Sequence, residues 1–389
     1  MTAPRRTGEA GPPRPWRRRL RRVTLGLAVA YPLALLLAVF ALHGIGERWP
    51  VTTLALYLPR VGFGLPLPFL AIALGFVRPR RWLLTQAAAA AIVLFPLMGL
   101  ELPPLGRASA AGPRLRLMSW NVGVGPDDPE GLMKSVRAVD ADIVCLQQVR
   151  GDELGPVVRA LPRHFVRLDK QFIFASRYPI VDAFVPATSV IEGERFSPSF
   201  ARYRVRTPLG LVDVYDVHPL SPHGPFDKFR GAGLVGELAS GRLFRNHAAF
   251  GALARNTRIR ERQVTDALAH AARSPYPVLI AGDTNLPSGS PVLRAAFGAY
   301  RDGFVEVGRG FGYTYPARKS PPWLRLDRIL SDPSFRFVSF VRLDVHVATH
   351  FPVVAELDRV SVAEDPDGAA PHRTTNDLKP SVTSSMRAR

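Results

Sequence analysis

Val278-Leu279-Ile280-Ala281-Gly282-Asp283-Thr284-Asn285 is the stretch on which the fold turns. Its apolar run, entered from Pro277, predicts a buried strand, and Gly-Asp-Thr-Asn marks the strand's end. Side chains alternate along a strand, so Asp283 and Asn285 fall on one face of the same strand end. A carboxylate and an amide there can hold a water and a phosphoryl oxygen. An Asp/Asn turn is the plainer alternative, and the motif alone does not decide between them.

Outward from this stretch, five further segments set polar residues beside apolar, strand-like runs: Ser119-Trp120-Asn121, Cys145-Leu146-Gln147-Gln148, Asp216-Val217-His218-Pro219, Leu326-Asp327-Arg328-Ile329 and Thr349-His350-Phe351-Pro352. His218 ends the run Leu211–Val217, where it can donate a hydrogen bond to a phosphate oxygen or simply cap the strand. His350 precedes the last apolar strand and Asp327 opens an earlier one. A histidine held by a carboxylate is a better-oriented base and a stabilised cation near phosphate. Asn121 ends the first strand, placed to contact a metal or a phosphate.

These motifs, in this order and approximate spacing, resemble the active-site set of the endonuclease/exonuclease/phosphatase superfamily, the DNase-I-like fold. Ser176-Arg177-Tyr178-Pro179-Ile180 and Tyr313-Thr314-Tyr315 add two more of its segments. The likeness covers residues 114–358 and extends to the membrane-anchored bacterial members, which carry apolar helices before the catalytic domain. It implies a four-layer α/β sandwich that hydrolyses phosphodiester or phosphomonoester bonds with a divalent metal, magnesium or else manganese. Residue by residue, it implies that Asn121 lies near the metal and that Asp283 and Asn285 position water and phosphate. His218 then contacts phosphate, and Asp327 and His350 form the His-Asp pair.

Two positions depart from the pattern. Gln148 stands where the superfamily's metal-binding glutamate belongs, and Thr349 where an aspartate usually precedes the last histidine. Magnesium favours carboxylate oxygens, so a site built on Asn121 and Gln148 is expected to be weak. Three outcomes stay open: a low-affinity metal site, a changed metal or chemistry, or a phosphate- or nucleic-acid-binding module that does not cleave.

The chain has 389 residues and a formal charge of +19, of which residues 1–22 carry +7 through eight arginines and one glutamate. Such a balance favours anionic partners, nucleic acid or phospholipid, or else reflects arginine used for solubility. Cys145 is the only cysteine, which excludes an intrachain disulfide and a cysteine-based zinc site. Its apolar neighbours predict a buried, unreactive thiol.

Residues 1–22 read as a disordered basic tail and 23–100 as a transmembrane region of three helices: Val23–Gly46, Val51–Val77 and Trp82–Leu100. The second is broken by Pro59, Arg60, Pro66 and Pro68, with Arg60 expected to snorkel to the interface. The arginines before the first segment and at Arg78-Pro79-Arg80-Arg81 should face the cytoplasm, so three spans place the large domain outside and two place it inside. Residues 101–113 read as a linker, 114–358 as the α/β domain and 359–389 as a disordered tail. Expected strands are Leu115–Trp120, Asp142–Leu146, Phe172–Ala175, Ala201–Val205, Val212–Val217, Val278–Ala281, Asp327–Leu330 and Val353–Leu357, with helices at Leu132–Val139 and Arg262–Ala272. Ser221–Gln263 is basic with interleaved aromatics: a grip for a nucleic acid backbone or anionic lipid, or a solvated, partly helical excursion. No protein partner is legible.

Overall fold

The computed structural model describes residues 15–77, 80–102, 112–123, 128–227, 247–318 and 321–360. Two six-stranded sheets form its centre. The first runs, edge to edge, Phe335–Arg342, Val353–Arg359, Leu115–Asn121, Ile143–Gln147, Phe172–Ser176 and Phe165–Asp169. The second runs Arg301–Asp302, Asp327–Ser331, Val278–Asp283, Gly210–Val217, Phe200–Thr207 and Ile180–Phe184. Each has one parallel pair at its middle, Leu115–Asn121 with Ile143–Gln147 and Gly210–Val217 with Val278–Asp283, flanked by antiparallel neighbours. The two halves of the domain therefore share one pairing pattern. A parallel pair needs a crossover, supplied by the helix Pro129–Val139 in the first sheet and by His247–Ala271 in the second.

Alternation fixes the layers. Leu115 and Leu117 point at the second sheet and join Cys145, Val212, Val214, Leu279 and Ala281 in the core between the sheets. Met118 and Trp120 point the other way, onto Leu132 and Val136 of the first crossover helix. Val278 and Ile280 pack outward on Val264, Ala267 and Ala271 of the second. Helix, sheet, sheet, helix is the four-layer α/β sandwich that the motifs imply. Leu279→Ala, which empties a fully buried site, should cost roughly 2–5 kcal/mol. Cys145 lies in this core, and burial pushes its thiol well up, as the sequence leads one to expect.

The N-terminal helices pack on the α/β domain. Among the described residues one helix, Pro15–Arg48, is long and apolar enough to cross a membrane, and a second qualifies only if Pro50–Tyr57 and Arg60–Gly75, bent by 91° at their junction, count as one span. Leu83–Ile92 and the π-helical turn Val93–Leu97 complete the bundle. Helix begins at Pro15, so residues 15–22 of the expected disordered tail are helical. Residues 1–14 and 361–389, expected to be disordered, lie outside the described residues.

Arg60 corrects the expectation that it snorkels. It is 6% exposed and donates to the carbonyls of Leu56, Leu97 and Ser288 at 3.1, 2.8 and 2.7 Å. Pro59 breaks the helix just before it, and the rigid guanidinium fork satisfies main-chain oxygens of three segments at once. Further ties reach the α/β domain: Arg294 donates to the His43 carbonyl, Tyr313 to that of Met98 at 2.8 Å, and Glu101 pairs with Gly310. Leu42, Leu56 and Leu97 share a cluster with Leu324 and Leu326.

Candidate active site

The alternation that builds the core also builds the site. Leu115 and Leu117 lead on the same face to Ser119 and Asn121. Leu279 and Ala281 lead to Asp283, Val214 leads through Asp216 to His218, and Ile329 leads back to Asp327. Asp283 and Asp327 are register partners, and Gly282 pairs with Val217, which sets His218 beside Asp283. Gly282 has φ +144°, and a Cβ there would meet the Val217 carbonyl oxygen at 2.0 Å. Only glycine permits this approach of the two strands.

Asp283 is the hub. Its Oδ2 accepts from Asn121 Nδ2 at 2.9 Å and lies 3.8 Å from both His218 Nε2 and His350 Nε2. Its Oδ1 accepts from the Asn285 amide at 2.8 Å. His350 Nδ1 donates to Asp327 Oδ2 at 2.8 Å. Asn285 sits in the left-handed region at φ +50°, and its Nδ2 donates to the Pro219 carbonyl at 2.9 Å. Asn121, Asp283, Asn285, His218 and His350 line one cavity of about 500 Å³.

The two histidines are driven apart in proton affinity. Burial disfavours the His350 cation, but Asp327 and Asp283 outweigh it and raise the group to about 9. His350 faces two carboxylates and Asp327 one cation, so the proton of this pair belongs on the imidazole. His218 is lowered, by burial and by the His350 charge against the pull of Asp283. Its Nδ1 donates to Gln171 Oε1 at 2.6 Å, and Gln171 is oriented by its own donation to the Pro198 carbonyl at 2.8 Å. Neutral His218 therefore presents Nε2 as an acceptor. It donates to a phosphate oxygen only after taking a second proton, which a bound anion favours.

All seven residues singled out in the sequence lie at one end of the sandwich. The model of the endonuclease/exonuclease/phosphatase family matches residues 118–361, the segment that carries them. The chain belongs to this family. Its fold is that of phosphoester hydrolases. Among solved structures, it is similar to an endonuclease/exonuclease/phosphatase from Beutenbergia cavernae DSM 12333, with 19% identity, 63% of this chain and 72% of that one covered, and a TM-score of 0.45. It is similar to a mannosyl-6-phosphatase of Bacteroides thetaiotaomicron VPI-5482, at 15% identity, 63% and 99% coverage and a TM-score of 0.42. It is also similar to D. rerio TDP2 complexed with a single-strand DNA product, at 14%, 63% and 99%, and 0.45. A comparison with curated proteins finds no match.

Within this family frame, Gln148 and Thr349 also line the cavity. Gln148 is half-buried at φ +59°, a strained conformation for a residue other than glycine or asparagine. It follows Gln147, the register partner of Asn121, so the amides at 121 and 148 end adjacent strands. Asp142 binds the Arg116 amide and Arg177, and Glu153 binds the Arg150 amide. Neither they nor Asp152 is among the cavity residues, so none replaces the missing carboxylates.

Do these residues fit a divalent ion? Asp283, Asp327 and His350 hold ligand atoms within 4.8 Å of one another. An ion among them competes with the His350 proton. By donor type the better-suited set is Asp283 with Asn121 and Gln148, which line the same cavity and offer one carboxylate and two neutral amides. They suit a hard cation in type but carry little charge, which predicts weak binding.

Several functional residues escaped sequence reading. Gln171 sets the His218 tautomer, Trp120 Nε1 holds the His350 carbonyl at 2.8 Å, and Thr314 Oγ1 receives the Leu326 and Asp327 amides at 3.1 and 3.2 Å. Beneath the site Gln147 spans the sheets to Asp216 Oδ1 at 2.7 Å, and burial pushes the Asp216 carboxyl well up. Trp120, Gln147, Asp216 and Thr314 lie in segments the motifs flagged, though without a role assigned; Gln171 carries no local signal. In the basic segment, Arg255 and Arg258 pair with Glu192, and Arg260 is buried against Asn256 and the Leu220 carbonyl. These arginines are committed to the protein, as the excursion reading expects. Lys228, Arg230, Arg242 and Arg245 lie outside the described residues.

Proposed function

We propose that the protein is a membrane-anchored, metal-assisted phosphoesterase acting on phosphodiester bonds. The observation that carries this reading is Asp283 Oδ2 at 3.8 Å from both histidines, on the wall of the cavity. Asp283 holds the attacking water and takes its proton as the oxygen bonds to phosphorus. His350, already protonated at neutral pH, stabilises the phosphoryl charge rather than accepting a proton. Asp327 keeps that cation in place through Nδ1. Asn285, fixed by Pro219, and His218 bind phosphoryl oxygens. Asn121, Gln148 and Asp283 would hold a magnesium or manganese ion, which would supply positive charge to those oxygens.

The arrangement of the bundle supports one sidedness. His43, Arg60 and Leu97 touch the catalytic domain or its bound segments, whereas Arg17–Arg22 and the arginines at 80 and 81 begin the helices that lead towards it. With arginines on the cytoplasmic side, the domain stands outside.

The test is hydrolysis of bis-p-nitrophenyl phosphate by the full chain in nanodiscs, with magnesium, manganese or chelator, beside Asp283→Ala. Metal-dependent turnover that the variant loses supports the reading. Turnover that survives in the variant overturns the roles. The neutral side chains of Gln148 and Thr349 favour a second reading, a phosphate-binding module that does not cleave. Phosphate binding without turnover in either metal supports it.

A further inference from the structure

The cavity has two unlike walls. One carries the polar set around Asp283. The other is apolar: Leu54, Leu58, Phe226, Trp323, Leu324 and Leu326. Leu54 and Leu58 come from the bent second apolar segment, so the N-terminal helices supply part of the active-site wall. Phe226 stacks obliquely on Tyr57 at 5.0 Å, and Trp323 Nε1 donates to the Tyr57 carbonyl at 3.0 Å. These ties hold the helix and the two aromatic residues as one surface. Leu324 and Leu326 belong to the cluster that continues into Leu35, Leu42, Leu56 and Leu97 of the bundle.

Charge points the same way. Among the described residues no lysine or arginine lines the cavity. A nucleic acid strand brings a phosphate at every nucleotide and is gripped by cations along its track. A single phosphoester with an apolar arm needs charge at one point only and a dry surface beside it.

We propose that the substrate is a membrane-resident amphiphile whose phosphoester meets Asp283 and His350 while its apolar arm lies on the wall formed by Leu54, Leu58, Phe226 and Trp323. This rests on the hydrolase reading and narrows it to a substrate class. The reaction keeps the balance already given: water adds at phosphorus, the ester oxygen leaves, and the arm is not altered. The bundle then serves recognition as well as anchoring. A substrate drawn from the bilayer reaches the site along a face that the bilayer-embedded segments themselves extend.

The test compares methyl and hexyl p-nitrophenyl phosphate, which share the reacting group, on the full chain in nanodiscs. Each methylene buried from water on an apolar wall is worth about fourfold, so the hexyl ester, with five more, should lead in kcat/KM by up to about 1,000-fold. Leu58→Asp should bring that ratio down towards unity. Equal rates for both esters in the unaltered chain overturn the proposal. So does a hexyl preference that Leu58→Asp leaves intact, because partitioning into the disc then explains it. If neither ester turns over, the hydrolase reading fails and binding decides this one. A diazirine-bearing hexyl phosphonate should label residues at 54–58, 226 or 323–326, and labelling elsewhere alone overturns the amphiphile.

Discussion

Tyr57 donates its hydroxyl to the main-chain oxygen of Asn285 at 2.7 Å, which ties the apolar N-terminal region to the loop that lines the cavity. Asn285 is held in a left-handed conformation, its amide on Asp283 and its side chain on Pro219. The Arg260 guanidinium stands over the Tyr57 ring, 5.7 Å from its centre. A loop residue strained in this way persists only where its surroundings over-determine it. Here one of those surroundings is a helix far away in sequence.

Tyr57→Phe keeps the ring and removes one hydrogen bond. Such a bond is worth about 0.5–1.5 kcal/mol, so kcat should fall up to about tenfold with KM little changed. A purely structural role predicts a lower melting temperature with kcat per folded molecule intact. Steady-state kinetics beside thermal unfolding of the same preparation separates the two.

The His350–Asp327 pair sets a pH prediction. His350 is raised to about 9, so its cation is fully present below that value and is lost as pH rises through it. If the cation is the active form, kcat should fall on an alkaline limb near 9. Asp327→Asn removes one of the two carboxylates that raise His350. Its limb should move to lower pH, and its kcat at neutral pH should fall by roughly 10²–10⁴. An alkaline limb that stays in place in the variant refutes the assignment of the proton to His350.

Asp302 carries a stability prediction away from the site. It accepts from Arg325 Nη1 at 2.9 and 2.8 Å and lies 3.5 Å from Arg328 Nε. Burial alone raises its carboxyl, but the two guanidinium groups outweigh that and hold it below its ordinary value. The stabilisation is present above the ordinary carboxylate range and lost as pH falls through the depressed value. Asp302→Asn should cost roughly 3–5 kcal/mol at neutral pH, because two guanidinium groups lose their partner. The gap from the unaltered chain should close as acid neutralises Asp302. Thermal unfolding across pH reads it.

Sidedness has a direct check. The only native cysteine, Cys145, is buried, whereas Val190 is 65% exposed on the hairpin Ser189–Phe196. Val190→Cys should react with a membrane-impermeant maleimide in intact cells. Labelling only after lysis places the domain inside.

Which parts could be read from the sequence follows from burial. The eight strands expected from apolar runs are the eight interior strands of the two sheets. A strand with neighbours on both sides and a covered face must be apolar along its length, as Val278–Ala281 is before Gly282 and Asp283 end it. The unread strands include all four edges, Phe335–Arg342, Phe165–Asp169, Arg301–Asp302 and Ile180–Phe184. There, half-exposed positions admit Arg167, Asp182 and Arg336, and the pattern blurs. The seven site positions were legible because each lies at an end of an interior strand or in the turn beside it. Tyr57, Gln171 and Trp323 were not, because their partners are distant in sequence and their types fit any core or surface.

The last prediction concerns the two departures from the family pattern. Gln148 and Thr349 both line the cavity, and the Thr349 hydroxyl would lie 2.9 Å from a Cβ placed on Gly123. Thr349 is thus pressed against the turn that follows Asn121. Each neutral side chain stands where a carboxylate would face the oxygen donors Asn121 and Asp283. Gln148→Glu changes one amide for a carboxylate of the same length, so packing survives while charge on the site rises. A hard divalent ion gains from that charge. The magnesium concentration for half-maximal turnover should fall at least about tenfold, equivalent to about 1.4 kcal/mol. Adding Thr349→Asp should lower it further, with less than additive gain because both carboxylates crowd one site. Calorimetric titration of magnesium into each full-length variant checks the affinity without relying on turnover. Unchanged affinity in Gln148→Glu would show that position 148 does not face the ion.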